Sequence, residues 1–293
     1  MNLVLTVFNI TAPVFILASI GFFWVRLGFE YPVSFVTRLA MTFAVPALIF
    51  GALMQSQVTP SALASVATAA IAAYALITVA ACALVRLGKL DAATFIPPLM
   101  IGNTGNLGLP LAFFAFGDLG LDYAVVIFAV SSIFAFTLGI WLVSGRGRLL
   151  SVLKEPTVIA TLLGALFLWR GWETPIALTN AIELVGQLAI PLMLITLGVA
   201  VSKLRPQAMT ISTGLVLAKL ALGLCCGWVI SHAFGLDPVA SAVLVLQLSM
   251  PVAVTSYLLA QKYGADAAAV AGLVVVSTLL SLITIPLVLA FLI

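Results

Sequence analysis

Apolar residues run through this chain in ten stretches of membrane-spanning length, separated only by short polar or Pro/Gly-bearing breaks. A helix that crosses a bilayer needs about 20 predominantly apolar residues. The stretches are 2–28, 33–55, 61–87, 92–117, 121–144, 156–172, 176–201, 207–233, 239–263 and 265–293. Hydrophobic residues make up 64% of the chain and charged residues 7%, against about 45–50% and about 25% in soluble domains. A water-soluble fold would lack the polar surface to cover itself, whereas lipid absorbs the excess. The expectation is therefore an all-α integral membrane protein of ten transmembrane helices, forming one domain over 1–293. No basic stretch precedes the first apolar run, so that run reads as a retained span and not as a signal peptide. Cys82, Cys225 and Cys226 lie inside apolar runs, with neither a disulfide framework nor metal-ligand spacing. They read as small buried hydrophobes, and no metal or cofactor is expected.

Charge placement gives an independent check on the span count. Lys and Arg are retained on the cytoplasmic side of a membrane, so they should crowd alternate loops. Loops after odd-numbered spans hold Arg26 and Arg38, Arg86 and Lys89, Arg146, Arg148 and Lys154, Lys203 and Arg205, and Lys262, leaving only Arg170 and Lys219 of the 12 basic residues elsewhere. Both termini are then expected on the non-cytoplasmic side of the membrane.

Shifting the sequence by 145 residues brings Leu39, Ala44 and Pro46 onto Leu184, Ala189 and Pro191, and Val125, Ser132 and Ile140 onto Val270, Ser277 and Ile285. The matches predict two five-span repeats, 1–150 and 151–293. An odd number of spans per repeat makes the second enter from the opposite face, which is the inverted-repeat plan of secondary transporters. Spans 4 and 9 are polar at matching depth. Span 4 carries Gly102, Asn103, Thr104, Gly105, Asn106, Gly108 and Pro110, and span 9 carries Gln247, Ser249, Pro251, Thr255 and Ser256. Glycine permits close approach and proline removes a backbone donor, so Gly105, Gly108, Pro110 and Pro251 are the expected crossing residues. Ordinary helix packing through small residues, with the amides as interhelical links, is the alternative. Two polar breaks in corresponding positions favour a pair of discontinuous helices around a midplane site.

These residues carry a family resemblance. The stretch Asn103-Thr104-Gly105-Asn106-Leu107-Gly108-Leu109-Pro110-Leu111, followed by Gly117-Asp118, resembles the fourth-helix motif of the auxin efflux carrier family. Met250-Pro251, Gln261 to Asp266, Ser277 to Ser281 and Pro286 are similar to that family's last two helices. The chain lacks the long cytoplasmic loop of many plant members and so resembles the short bacterial branch, which implies a place in a bacterial inner membrane with both termini on the non-cytoplasmic side. The resemblance implies a fold like that of the bile-acid sodium symporters, with spans 1, 2, 6 and 7 as scaffold and spans 3–5 and 8–10 as the moving part. It also implies carriage of carboxylate-bearing anions, auxin in plants and malate- or malonate-like dicarboxylates in bacteria, and a homodimer through the scaffold. Asn103 matches the family asparagine that contacts the substrate carboxylate, while Ser256 stands where the plant pattern has a second proline.

The chemistry of the breaks points the same way. Half-helices beginning at the midplane aim unsatisfied N–H groups and positive dipole ends into the site. Asn103, Asn106 and Gln247 add neutral amide donors, with the hydroxyls of Thr104, Ser249, Thr255 and Ser256 beside them, as candidate anion-binding groups. Two charges fall inside spans: Lys219, about 18 Å from one end of span 8, and Glu183, about 10 Å down span 7 from the other face. Their similar depths are compatible with an ion pair, with separate structural roles, or with service to a dianionic substrate. His232 reads as a surface residue at the end of span 8. No nucleophile elbow, His-Glu-x-x-His pair or intramembrane aspartate pair supports an enzyme. A channel would more commonly use repeated subunits or charged rings, and a sensor would need an output domain. A secondary carrier working by an elevator-type alternating-access cycle is the expectation; the bilayer and a small organic anion are its partners, and nucleic acid is not.

Overall fold

The computed structural model describes residues 3–145, 154–204 and 209–293. Arg146, Arg148 and Arg205, the expected division between repeats at 150/151, and the expected span starts at Asn2 and Gln207 lie outside the described residues. In chain order the helices are α1 (Leu3–Arg26), α2 (Val33–Met54), α3 (Pro60–Leu87), α4 (Ala92–Met100), α5 (Thr104–Ser144), α6 (Pro156–Arg170), α7 (Ile176–Lys203), α8 (Met209–Ala233), α9 (Pro238–Leu248), α10 (Val254–Tyr263) and α11 (Ala267–Leu292). Seven of them, α1, α2, α3, α5, α7, α8 and α11, are long and apolar enough to cross a membrane. No strand occurs among the described residues, and extended pairing is confined to one isolated bridge. Phe8, Phe35, Phe43, Val79, Leu163, Leu184, Leu287 and Phe291 are exposed on the outside of the bundle. Such a surface would aggregate in water and is at home in lipid.

Local chemistry sets the helix ends. Thr59, Asp91, Asp237 and Asp266 cap α3, α4, α9 and α11, each side chain accepting from a backbone N–H three residues on. A capping carboxylate satisfies an orphan donor and complements the positive helix end. Arg170 packs at 4.8 Å over Trp169 and 5.8 Å from Trp172, an aromatic setting typical of a membrane interface.

Proline and glycine decide where the long helices bend. Pro46 cannot donate to the carbonyl of Thr42, and its ring would strike that oxygen. The preceding turn opens into a π turn at Ala40–Ala44. Pro110 has the same effect on Thr104–Gly108. At 41 residues α5 would be about 60 Å long if straight, twice the thickness of a bilayer core. It is not straight. Gly117 adopts φ 64°, ψ −152°, a conformation essentially reserved for glycine, and the chain reverses there into a second leg. Two further glycines let α1 and α7 touch backbone to backbone: a Cβ at Gly21 would lie 2.0 Å from the Ile195 carbonyl oxygen, and one at Gly198 would lie 1.7 Å from that of Ala18. Small residues at such contacts are how helices associate closely in lipid.

Candidate substrate site at two crossed chain breaks

Helical pairing stops at Ile101–Asn103 and again at Met250–Ala253, and the two extended segments pair with each other. Gly102 and Val252 form an antiparallel bridge. The Asn103 amide donates to the Pro251 carbonyl at 2.7 Å, and that of Ala253 to the Ile101 carbonyl at 3.2 Å. The Val252 amide donates to Ser277 Oγ at 3.0 Å. Unpaired peptide groups at this depth would each cost several kcal/mol, about the price of one lost hydrogen bond in hydrocarbon, and the crossing removes that cost reciprocally. Four helix ends meet here: the carboxyl ends of α4 and α9, and the amino ends of α5 and α10.

The structure places the first break earlier than proline logic alone expects. Pro110 lies within α5, where it widens a turn; it does not interrupt the chain. Its expected counterpart Pro251 does stand in the second break. Gly105 and Gly108 also lie beyond the crossing and serve packing. A Cβ at Gly105 would come within 2.9 Å of the Phe128 ring, and one at Gly108 within 2.0 Å of Gln247 Oε1. Gly102, which directly pairs with Val252, is the residue that spacing to a proline did not single out.

Several polar atoms at the crossing are buried without a partner. They are Asn103 Nδ2, both amide atoms of Gln247, and Ser256 Oγ. Gln247 is fully buried, Asn103 is 4% exposed and Ser256 is 2% exposed. An unsatisfied buried polar group costs about 1–3 kcal/mol, so the crossing holds a concentration of unmet hydrogen-bonding capacity. Thr104 is already engaged, its hydroxyl donating to Ser131 Oγ at 3.2 Å. The other candidates go elsewhere. Asn106 and Thr255 line a separate cavity of about 250 Å³ with Thr37, Met193, Thr196 and Lys203. Ser249 donates to the Val245 carbonyl at 2.6 Å and faces a small cavity beside Lys219.

A larger cavity, about 760 Å³, opens at the Gln55 end of α2 and is bounded by Leu48, Phe113, Asp118, Gln187 and Ile190. Gln55 Nε2 donates to Glu183 Oε1 at 2.7 Å and Ser56 Oγ to Asp122 Oδ2 at 2.5 Å on its wall. Asp122 is 5% exposed. It was not visible as a site residue in the sequence, because it sits at the polar start of a leg where a loop aspartate is ordinary. The two cavities approach each other closely. One reaches Ile190 and the other Met193 on α7, three residues or about 4.5 Å of helix apart. Buried Ala44 and Val45 of α2 lie between them.

Lys219 and Glu183 do not share a cavity. Glu183 is exposed in the large one, while Lys219 is buried behind the second break. Similar distances counted along two spans do not bring two residues together, and these two line different cavities. His232 is exposed, its ring tilted 41° against that of Trp228 with the centroids 4.4 Å apart.

The chain is similar to proteins named as transporters. The chain is 28% identical over 289 residues to an uncharacterized transporter of Methanothermobacter thermautotrophicus, covering 94% of each chain. It is 26% identical over 202 residues to an uncharacterized transporter of Methanocaldococcus jannaschii, a match spanning 64% of that protein's length and 64% of this chain. A Rhizobium meliloti protein named "Putative malonate transporter" is 26% identical over 199 residues, or 62% of its length and 63% of this chain. The family model described as membrane transport protein matches residues 6–152 and 146–289, and with apolar helices of spanning length and two crossed breaks the chain belongs to that membrane transport protein family.

Proposed function

We propose that this chain is a secondary carrier of small carboxylate-bearing organic anions, binding them at the crossing and exposing it alternately to the two sides of the membrane. The observation that carries the reading is the set of unpartnered donors, Asn103 Nδ2 and Gln247 Nε2 foremost, at a crossing whose two half-helices α5 and α10 begin there. Positive helix ends and neutral amides suit a carboxylate, which accepts such hydrogen bonds without a permanent countercharge in the empty site. In this reading the ten apolar stretches are ten spans in a 5+5 inverted repeat of the bile-acid symporter type. Spans 4 and 9 are the broken pairs α4/α5 and α9/α10, and Gly117 separates spans 4 and 5. Spans 1, 2, 6 and 7 are the scaffold against which the rest moves. In support, both cavities lie between α2 and α7 on one side and α5 or α10 on the other. Dicarboxylates such as malonate and malate are the first substrates to test, in line with the name of the R. meliloti relative. Purified protein in liposomes should show saturable counterflow of radiolabelled malonate or malate. Flux that never saturates would instead indicate a channel, and no flux of any organic anion would sink the carrier reading.

Membrane sidedness follows from the basic loops: the Lys203 end faces the cytoplasm and the Gln55 end faces outward. With Cys82, Cys225 and Cys226 replaced, Gln187→Cys is expected to react with a membrane-impermeant thiol reagent faster from outside. Thr255→Cys should react faster from the cytoplasmic side, since the two residues line opposite cavities. Equal access of both from one face would contradict the two-vestibule arrangement.

A further inference from the structure

The two cavities between α2 and α7 on one side and α5 or α10 on the other differ in the sign of their walls. The larger is lined by Asp118, Asp122 and Glu183 and, among the described residues, by no Lys or Arg. The smaller, about 250 Å³, is the reverse: Lys203 lines it and, among the described residues, no Asp or Glu does. Asn106, Thr37, Thr196 and Thr255 add an amide and three hydroxyls to that wall.

This cavity begins where the two breaks end. Val254 and Thr255 open α10 directly after the second break, and Asn106 follows Asn103 by three residues, less than one helical turn. The amino ends of α5 and α10 carry N–H groups that a helix cannot satisfy itself, together with its positive dipole end. One full positive charge and two partial ones therefore border a space with no acid among its described walls.

Neutral donors at the crossing can hold a carboxylate, but they cannot tell a monoanion from one end of a dianion. A lysine further along can. A second carboxylate gains a charge-assisted partner there, whereas a neutral tail leaves the ammonium to water. We propose that Lys203 selects dicarboxylates: one carboxylate is held at Asn103, and the second enters the cavity beside Lys203. This rests on the carrier reading and adds to it the residue that sets the charge of the substrate. Lys203 is exposed to the water of its cavity, so its effect is that of a hydrated, screened ion pair and modest in size.

The test is binding of matched pairs to the purified protein at neutral pH: malonate against monomethyl malonate, and succinate against monomethyl succinate. Wild-type protein should bind each diacid about three- to tenfold tighter than its half-ester. That preference should shrink when salt is raised from about 0.1 M to about 1 M, which shortens the screening length from about 10 Å to about 3 Å. Lys203→Gln should lose the preference by weakening the diacids alone, and Lys203→Arg should keep most of it. Asn103→Ala should weaken both members of a pair. Lys203 also stands in the last turn of α7, where a cation complements the negative helix end. A role confined to that would lower the melting temperature of Lys203→Gln and leave the preference intact, which overturns the proposal. Half-esters bound as tightly as diacids by wild-type protein, a preference indifferent to salt, or equal weakening of both in Lys203→Gln overturns it too. Each of those outcomes leaves the carrier reading standing, because an anion still binds. Wild-type protein that binds no member of either pair overturns the dicarboxylate selection proposed here, and the flux assay with other organic anions then decides the carrier reading separately.

Discussion

Asn103→Ala is expected to weaken binding of a carboxylate substrate by roughly ten- to a hundredfold while leaving the yield of folded protein nearly unchanged. The magnitude follows from the bond at stake. A hydrogen bond from an amide to a carboxylate contributes about 1.5–3 kcal/mol net, and about 1.4 kcal/mol is a factor of ten in affinity. The specificity follows from the geometry. The backbone of Asn103 holds the crossing, donating to Pro251 and accepting from Leu107 and Gly108 at 3.2 and 3.1 Å. Alanine keeps all of those bonds. Its side-chain Nδ2 has no protein partner, so removing it breaks no internal hydrogen bond. Asn106→Ala is the internal control and should be milder, because Asn106 faces the cavity near Lys203 and not the crossing. Calorimetric titration of a confirmed substrate decides the matter: wild-type affinity in Asn103→Ala would remove Asn103 from the site and with it the anion reading of the crossing.

Gly198→Ala should cost more stability than Gly→Ala at the other helix contacts among the described residues. The new Cβ would stand 1.7 Å from the Ala18 carbonyl oxygen and 2.8 Å from the Phe22 nitrogen, both backbone atoms of α1 that cannot turn aside. α1 and α7 must then separate, which loosens Val7, Ile10 and Val14 against Leu194 and Leu197. Overpacking of a close contact costs about 1–3 kcal/mol, and here the strike is on backbone, so the upper end applies. The melting temperature in detergent should fall by about 5–10 °C. Gly21→Ala should act similarly, since its Cβ would meet the Ile195 oxygen at 2.0 Å. The double variant should fall short of the sum, because the first substitution already opens the gap. Gly214→Ala in α8 is the control: nothing lies within 4 Å of its Cβ, so better helix propensity should leave it neutral or slightly stabilised. A Gly198→Ala protein as stable as Gly214→Ala would mean that α1 and α7 do not meet in this way.

That this chain is helical and lives in lipid could be read from its residues alone. Spanning length and apolar content are additive local properties, and they survive any arrangement of the helices. The two broken segments were legible for a related reason: Gly102 to Pro110 and Gln247 to Ser256 put too many polar groups and helix breakers at membrane depth for lipid to face. Pro251 stands within its break, where proline removes a donor from the adjacent backbone. Pro110 misled, since a proline near the start of a helix can widen the turn before it instead of ending it.

Only the tertiary structure decided the rest. Gly102 pairs with Val252 because two backbones from distant parts of the chain satisfy one another, and no local spacing encodes that register. The candidate polar residues divide among the crossing, the cavity near Lys203 and the recess around Lys219, because each side chain's direction depends on which neighbour packs behind it. Asp122 became a buried acid only when the reversal at Gly117 brought it against Ser56. Lys219 and Glu183 line different cavities, one beside the second break and one at the Gln55 end of α2, because counting residues along a span gives neither its tilt nor its neighbours, which helix packing settles.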